Sequence, residues 1–339
     1  MKLPEKELCP ECDEWTTLDV MEMEEKVIVR KEKFTVKVKK VFCTNCKKEI
    51  GMAESGFDEK EIAYDLYRRK HNYLFPEDIK RIREKYGLGQ KPFSRLLGFG
   101  EITIHLYEKG ALPDDTHIEM LKLAGDPENI KVIYENNKEA ISETDRQAFE
   151  KKLDELLVEK RKNKLKEIIL DTFNYEPDIY CGFKKFILDY VVNFFKLMLK
   201  IHSPLYTTHM VKIPCYLDFI KFKLEQTAFT GFRYVIGKHG PFLDGYDKFL
   251  CYLVDTGAAD SILDFPGDGK LYFFKEEPDL SLFSEKDLQL IKKVTEKLGV
   301  LTPTQLSERS HKEIPGWDEN KIGQLLSFEY AKYSKIFED

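Results

Sequence analysis

In the first fifty residues Phe34, Val36 and Val38 alternate with Thr35, Lys37 and Lys39, the period of two that puts neighbouring side chains on opposite faces of a strand. Val27 to Val29 supplies an antiparallel partner, with Arg30-Lys31-Glu32-Lys33 as the joining loop. From Asp58 to Lys70 the period changes. Ile62, Ala63, Leu66 and Tyr67 recur at helical spacing and predict a connecting helix. A further helix has Pro76 in its first turn, Ile79, Ile82 and Tyr86 on its buried side, and Gly87 at its end. Short helices and tight turns follow as far as Asn129.

Asn136 to Lys166 is rich in Lys and Glu. Ser142 with Asp145 resembles a capping box, and Phe149, Leu153, Leu156 and Lys160 trace a weak stripe. This predicts an amphipathic linker helix, with a dimerising coil as the alternative. In Phe186 to Ile201 a polar stripe of Asp189, Asn193, Lys196 and Lys200 argues for a helix packed on a core and against a membrane span. The remainder, from about Asp171, is rich in Phe and Tyr. Pro266-Gly267-Asp268-Gly269 leads into Leu271-Tyr272-Phe273-Phe274 as a hairpin, and a later helix begins at Ser284, with Asp287 as capping partner, and stops at Gly299.

A chain of 339 residues exceeds what one core usually serves. The net charge of -6 does not advertise nucleic-acid binding, so any DNA contact must come from a local basic face or from a homodimer presenting two of them. Met1 to Glu14 lacks an apolar secretory segment, and seven cysteines, four in close pairs, fit a reducing cytoplasm with a metal site better than disulfides.

Those pairs are Cys9-Pro-Glu-Cys12 and Cys43-Thr-Asn-Cys46, thirty residues apart. Pairing the strands between them brings the two together. Cys9, Cys12, Cys43 and Cys46 then supply four thiolates to one tetrahedral Zn2+ with no open position, a structural rather than catalytic site. An iron-sulfur cluster is the other tetrathiolate option, and reduced free thiols are the third.

Between Gly87 and Gly110 the chain has the mechanics of a helix-turn-helix. Gln90 to Leu97 buries Phe93, Leu96 and Leu97, Gly98 turns the chain, and Glu101 to Lys109 forms the recognition helix with Ile104 and Tyr107 inward. Gln90, Lys91, Thr103, His105 and Lys109 become the candidates for phosphates and base edges of double-stranded operator DNA. Glu101 and Leu106 work against that role, one by charge and the other by offering no hydrogen bond.

The paired cysteines followed by this segment, with Tyr107-Glu108-Lys109-Gly110 closing it, resemble the MqsA antitoxin family over roughly the first 130 residues. That resemblance implies a zinc module ahead of an XRE-type DNA-binding domain. Leu106 departs from it, standing where the related pattern commonly has Arg. From about Thr207 to Tyr330 the chain resembles a Panacea antitoxin domain, through Val211-Lys212-Ile213, Asp218-Phe219, Thr230-Gly231-Phe232-Arg233-Tyr234, Lys238-His239-Gly240-Pro241, Ser310-His311 and Trp317. This implies a protein toxin as partner, with Thr230, Arg233, Tyr234 and His239 as contact residues. Taken individually, Gly231 and Gly240-Pro241 are turn residues, Trp317 a core residue, and His239 and His311 structural histidines.

The expected fold is mainly α (α+β), in five parts: a zinc-bound β-hairpin module (1-57), a connecting helix (58-75), a helix-turn-helix domain (76-130), a helical linker (131-170) and a toxin-binding domain with a small sheet (171-339). The expected function is that of a cytoplasmic, non-enzymatic antitoxin that binds its toxin and represses its own operon. A ligand-sensing transcription regulator is the alternative. An enzyme using His239 or His311 ranks last, since no paired carboxylates, nucleophile motif or phosphate loop is present.

Overall fold

A computed structural model describes residues 6–52, 59–264, 269–316 and 321–337, and it is mainly helical with small antiparallel sheets, as expected. Trp317 and the turn residues Pro266, Gly267 and Asp268 lie outside the described residues. Among the described residues, no helix is long and apolar enough to cross a membrane. The chain divides into two compact units, Met1–Glu159 and Lys160–Asp339.

The first unit opens with a four-stranded sheet in the order β1 (Lys6–Leu8), β2 (Trp15–Val29), β3 (Glu32–Cys43), β4 (Glu49–Met52). β2 and β3 pair from Leu18↔Cys43 to Val29↔Glu32, so the loop is shorter than expected: only Arg30 and Lys31 turn the chain. Both have positive φ, 45° and 72°, as a two-residue hairpin turn matching strand twist requires. Glu32 and Lys33 belong to the strand. The reach of β2 beyond Val27 was hidden by its composition, because Met21 to Lys26 places charge on both faces.

α1 (Glu59–His71) covers one face of this hairpin, with Ala63 and Tyr67 buried against Val29, Val36 and Val38. Lys40 on β3 lies between Glu25, at 2.9 Å, Glu49, at 3.1 Å, and Glu59, at 3.5 Å, tying β2, β4 and the first helix to β3. A helical group follows: α2 (Pro76–Lys85), α3 (Gln90–Leu96), α4 (Thr103–Glu108), α5 (Asp115–Ala124) and α6 (Pro127–Asn137). Its core joins Ile79, Tyr86, Phe93, Leu96, Ile104, Leu121, Ile130 and Tyr134. Phe149 and Leu153, from the start of α7 (Glu143–Thr172), complete this core, so the helix is more than a solvated spacer there. Ser142 Oγ accepts from the Asp145 N–H at 3.2 Å and donates to its carboxylate at 2.6 Å, which caps α7.

The second unit is built around α8 (Leu188–Ile201) and α9 (Thr207–Glu225). The polar stripe of α8 is used as the sequence suggests: Lys196 pairs with Glu276 at 2.7 Å and Asn193 Oδ1 accepts from the Asp279 N–H. α9 is buried on nearly every side, which is why no amphipathic period marks it. Around it stand the hairpin β6 (Tyr234–Gly237) and β7 (Gly240–Leu243), α10 (Tyr246–Asp255), the strands β8 (Ala259–Asp264) and β9 (Gly269–Phe274), α11 (Glu285–Gly299) and α12 (Pro303–Glu313). β8 and β9 form the expected hairpin, and β5 (Leu205–Tyr206) adds to the β9 edge. Phe173, Phe186, Phe195, Phe232 and Phe249 meet in the core as edge-on and tilted rings.

Candidate functional site

Each cysteine pair sits in a loop of the same design. In the first, the Cys9 N–H donates to Glu14 O and the Asp13 N–H to Cys9 O; in the second, the Cys43 N–H donates to Lys48 O and the Lys47 N–H to Cys43 O. Asp13 and Lys47, the residue after each second cysteine, both take positive φ. All four Sγ atoms lie within 4.8 Å of one another. The closest separations cross between the loops, Cys9–Cys46 at 3.7 Å and Cys12–Cys43 at 3.8 Å. Four thiolates about 2.3 Å from a central Zn2+ have sulfur–sulfur edges of about 3.8 Å, so the cluster has the dimensions of a tetrahedral site.

The surroundings favour thiolate at one corner. Burial opposes ionisation of Cys43, yet N–H donors of Cys46 and Asn45 and the Thr16 hydroxyl bring its pKa down to about 6. Burial, with the other thiols at its side, pushes Cys12 up to about 12. A cation among the sulfurs favours the thiolate form that ligates it. Outside the sulfurs, Thr44 Oγ1 bonds Thr16 and Thr17 at 2.7 and 2.9 Å, and Asn45 donates to Glu14 at 2.9 Å, linking the two loops. These cysteines can hold a metal ion.

In the helical group, α3 and α4 are joined through Gly98, whose φ of 74° makes the turn. Phe93, Leu96 and Leu97 are buried, as are Ile104 and Tyr107, while α4 begins at Thr103 rather than at Glu101. The buried Ser94 Oγ accepts the Ile104 N–H at 3.2 Å and fixes one helix on the other. Beneath α4, Arg83 binds Glu108 through two nitrogens, at 2.6 and 3.2 Å. Burial works against the ionised Glu108, but Arg83 and Gln90 hold its carboxyl below the usual range. Nothing in the local sequence pattern marks this pair; only helix packing brings residues 83 and 108 together.

The five residues expected to face DNA divide. Lys91, His105 and Lys109 are exposed and Thr103 is half-buried beside them. Gln90 faces inward: it donates to Glu108 at 2.7 Å and bonds His105 Nδ1 at 3.1 Å. Glu101 is held by Arg95, with Lys91 at 4.0 Å, and those cations lower its pKa. Its charge is therefore locally compensated.

In the second unit two buried ions organise α9. Asp218, fully buried, accepts the Phe229 and Thr230 N–H groups at 2.7 Å each, the Thr230 hydroxyl at 2.5 Å and the Tyr234 hydroxyl at 2.7 Å. Burial nonetheless pushes its carboxyl up to about 6. Six residues earlier, Lys212 Nζ donates to His239 O at 2.7 Å, Pro241 O at 3.3 Å and Ser310 Oγ at 3.0 Å, which occupies all three of its donors. Burial brings this ammonium down to about 8. Residues 210–318 match the family model of the antitoxin SocA-like Panacea domain.

The match spans roughly a third of the chain and supports a general antitoxin role. Among proteins of curated function, none matches the chain. The Panacea family is not an enzyme family. Asp218 and Lys212 lie inside the Panacea segment, and so do the four residues expected to meet a toxin. Thr230 and Tyr234 are buried on Asp218 and present no surface. Arg233 lies over Tyr175, its guanidinium carbon 4.0 Å from the ring centre, and pairs with Asp178 at 2.7 Å. His239 is exposed with Lys238 at the tip of the β6–β7 hairpin, which the sequence analysis missed although Gly240-Pro241 suggested a turn. The four do not share one surface. Beside His239, a pocket of about 290 Å3 is lined by Val211, Lys212, Phe242, Tyr246 and Ser307. Burial, together with nearby Lys212 and His239, lowers the pKa of His311.

Proposed function

We propose that this chain is an antitoxin that sequesters a protein toxin through its Panacea segment and represses its own operon through the first unit, in the cytoplasm. The observation that carries the reading is the match of residues 210–318 to an antitoxin domain family. Sequestration needs an apolar, well-shaped surface and no chemistry. The pocket beside the hairpin tip at Lys238 and His239, lined in part by Val211, Phe242 and Tyr246, offers such a surface; Thr230 and Tyr234, buried on Asp218, hold the segment that leads into the hairpin.

In the first unit, one structural Zn2+ held by Cys9, Cys12, Cys43 and Cys46 stabilises the end of the hairpin that lacks an apolar core. α3 and α4 serve as a helix-turn-helix. Lys91 and Lys109 contact phosphates, while Thr103 and His105 reach base edges. Gln90 acts by fixing His105 and Glu108. A homodimer would present two such faces to a two-fold operator. Co-expression with the gene that neighbours this one in its genome tests the central claim. Rescue of growth from that gene's toxicity is expected, and toxicity unaffected by this protein refutes it.

A further inference from the structure

The outward face of α4, with its N-cap residue, carries two apolar side chains that lie outside the hydrophobic cores of the described residues. Ile102 is 63% exposed and Leu106 45%. They stand one helical turn apart, on the side opposite the buried Ile104 and Tyr107. An exposed apolar pair rimmed by polar residues is a candidate contact surface. Its surroundings are not those of an ordinary protein-docking patch. Lys91, Arg95 and Lys109 are exposed around it beside the imidazole of His105, and with the acid Glu101 paired to Arg95 and Lys91 the border keeps a net positive charge. Apolar centre and cationic border together complement a polyanion that carries apolar groups in a groove. The thymine C5-methyl is that group in the DNA major groove.

We propose that Ile102 and Leu106 are specificity-determining residues that read thymine methyl groups, so that the preferred operator carries thymines where α4 enters the major groove. The proposal rests on the reading that α3 and α4 bind DNA. Leu106, which offers no hydrogen bond, then favours an A·T pair at the step it meets. His105, oriented by Gln90, and Thr103 supply hydrogen bonds at neighbouring positions.

The test uses the full chain and a randomised pool of DNA duplexes, from which bound sequences are selected by gel shift. The selected duplex is then resynthesised with deoxyuridine replacing each thymidine in turn, which removes one methyl group and leaves every hydrogen-bonding edge unchanged. At one or two positions the wild-type protein is expected to bind the uracil duplex about fourfold more weakly per methyl, from the value of one buried methyl group. Leu106→Ala and Ile102→Ala should each erase that difference at one position while retaining salt-dependent binding. Equal affinity for thymine and uracil duplexes at every position overturns the proposal and leaves DNA binding standing. Failure to enrich or shift any duplex overturns the DNA-binding reading, and the proposal with it. The uracil comparison is made on wild-type protein, so a folding defect in a variant cannot imitate either result.

Discussion

Replacing Asp218 with Ala strands four buried donors at once. The two hydroxyls can rotate toward other acceptors, but the Phe229 and Thr230 N–H groups, each 2.7 Å from the carboxylate, cannot. An unsatisfied buried donor costs about 1–3 kcal/mol, so the two N–H groups alone cost about 2–6 kcal/mol, a large share of the stability of an ordinary domain. For a unit of this size that lowers the melting temperature by roughly 5–20 °C. Urea unfolding followed by far-UV circular dichroism reads the loss, and hydrogen exchange at amides 229 and 230 localises it. A loss below about 1 kcal/mol with those amides still protected would refute the account. The carboxyl also predicts a pH effect of known sign. Its pKa rises from 3.8 in the unfolded chain to about 6 in the folded one, so between those values the native state keeps a proton that the unfolded state has released. The stability this contributes is complete below about pH 4 and is lost, by about 3 kcal/mol, as pH rises through 6. Asp218→Asn lacks that proton, so the wild type's advantage over it should shrink by this amount from pH 4 to 7. A constant gap would show that the carboxyl titrates normally.

Three further outcomes are expected. Wild-type protein should carry one zinc per chain by elemental analysis, and Cys12→Ser should lose it; full retention of metal in the variant would remove Cys12 from the ligand set. Gly240→Ala should destabilise the second unit by about 1–3 kcal/mol from backbone strain at φ 90°, and further because its Cβ would stand 2.5 Å from Ser310 Oγ and 2.9 Å from Lys212 Nζ; an unchanged urea midpoint would contradict the positions of those groups. Glu108→Ala should cost the first unit about 3 kcal/mol by leaving Arg83 buried without its bidentate partner, and should weaken DNA binding although Glu108 faces away from the groove. Unchanged stability would mean that Glu84 and Leu88 O alone satisfy Arg83.

Legibility in the sequence followed the range of the interactions. The cysteine cluster could be read because two short, self-closing loops carry the whole donor set and one hairpin brings them together. The caps at Ser142 and Ser284 are local in the same way. The length of β2 was not legible, because exposure of both its faces removes the alternation that marks a strand. α9 hid for the opposite reason, since burial on all sides erases the helical period. The supports beneath the candidate surfaces are long-range pairs, Arg83 with Glu108 and Lys212 with Ser310, and no spacing rule reaches across such separations. Thr230 and Tyr234 lay in the right segment, but their burial on Asp218 is decided by a helix turn more than ten residues earlier.

The hairpin of β2 and β3 runs through twelve residue pairs, about 40 Å, and its two ends are secured by different kinds of force. At one end are four sulfurs; at the other, Arg30 at the turn reaches Tyr73 and Asp115, and α1 covers the valines. Thiol reagents, and chelators of a metal bound there, would act at the first end. An attack on the thiols should therefore unzip this arm from the cysteines inward and stop where Val36 and Val38 meet Tyr67. Hydrogen exchange after thiol modification should then show the amides beside the cysteines losing protection first, with those of α3 and α4 still protected.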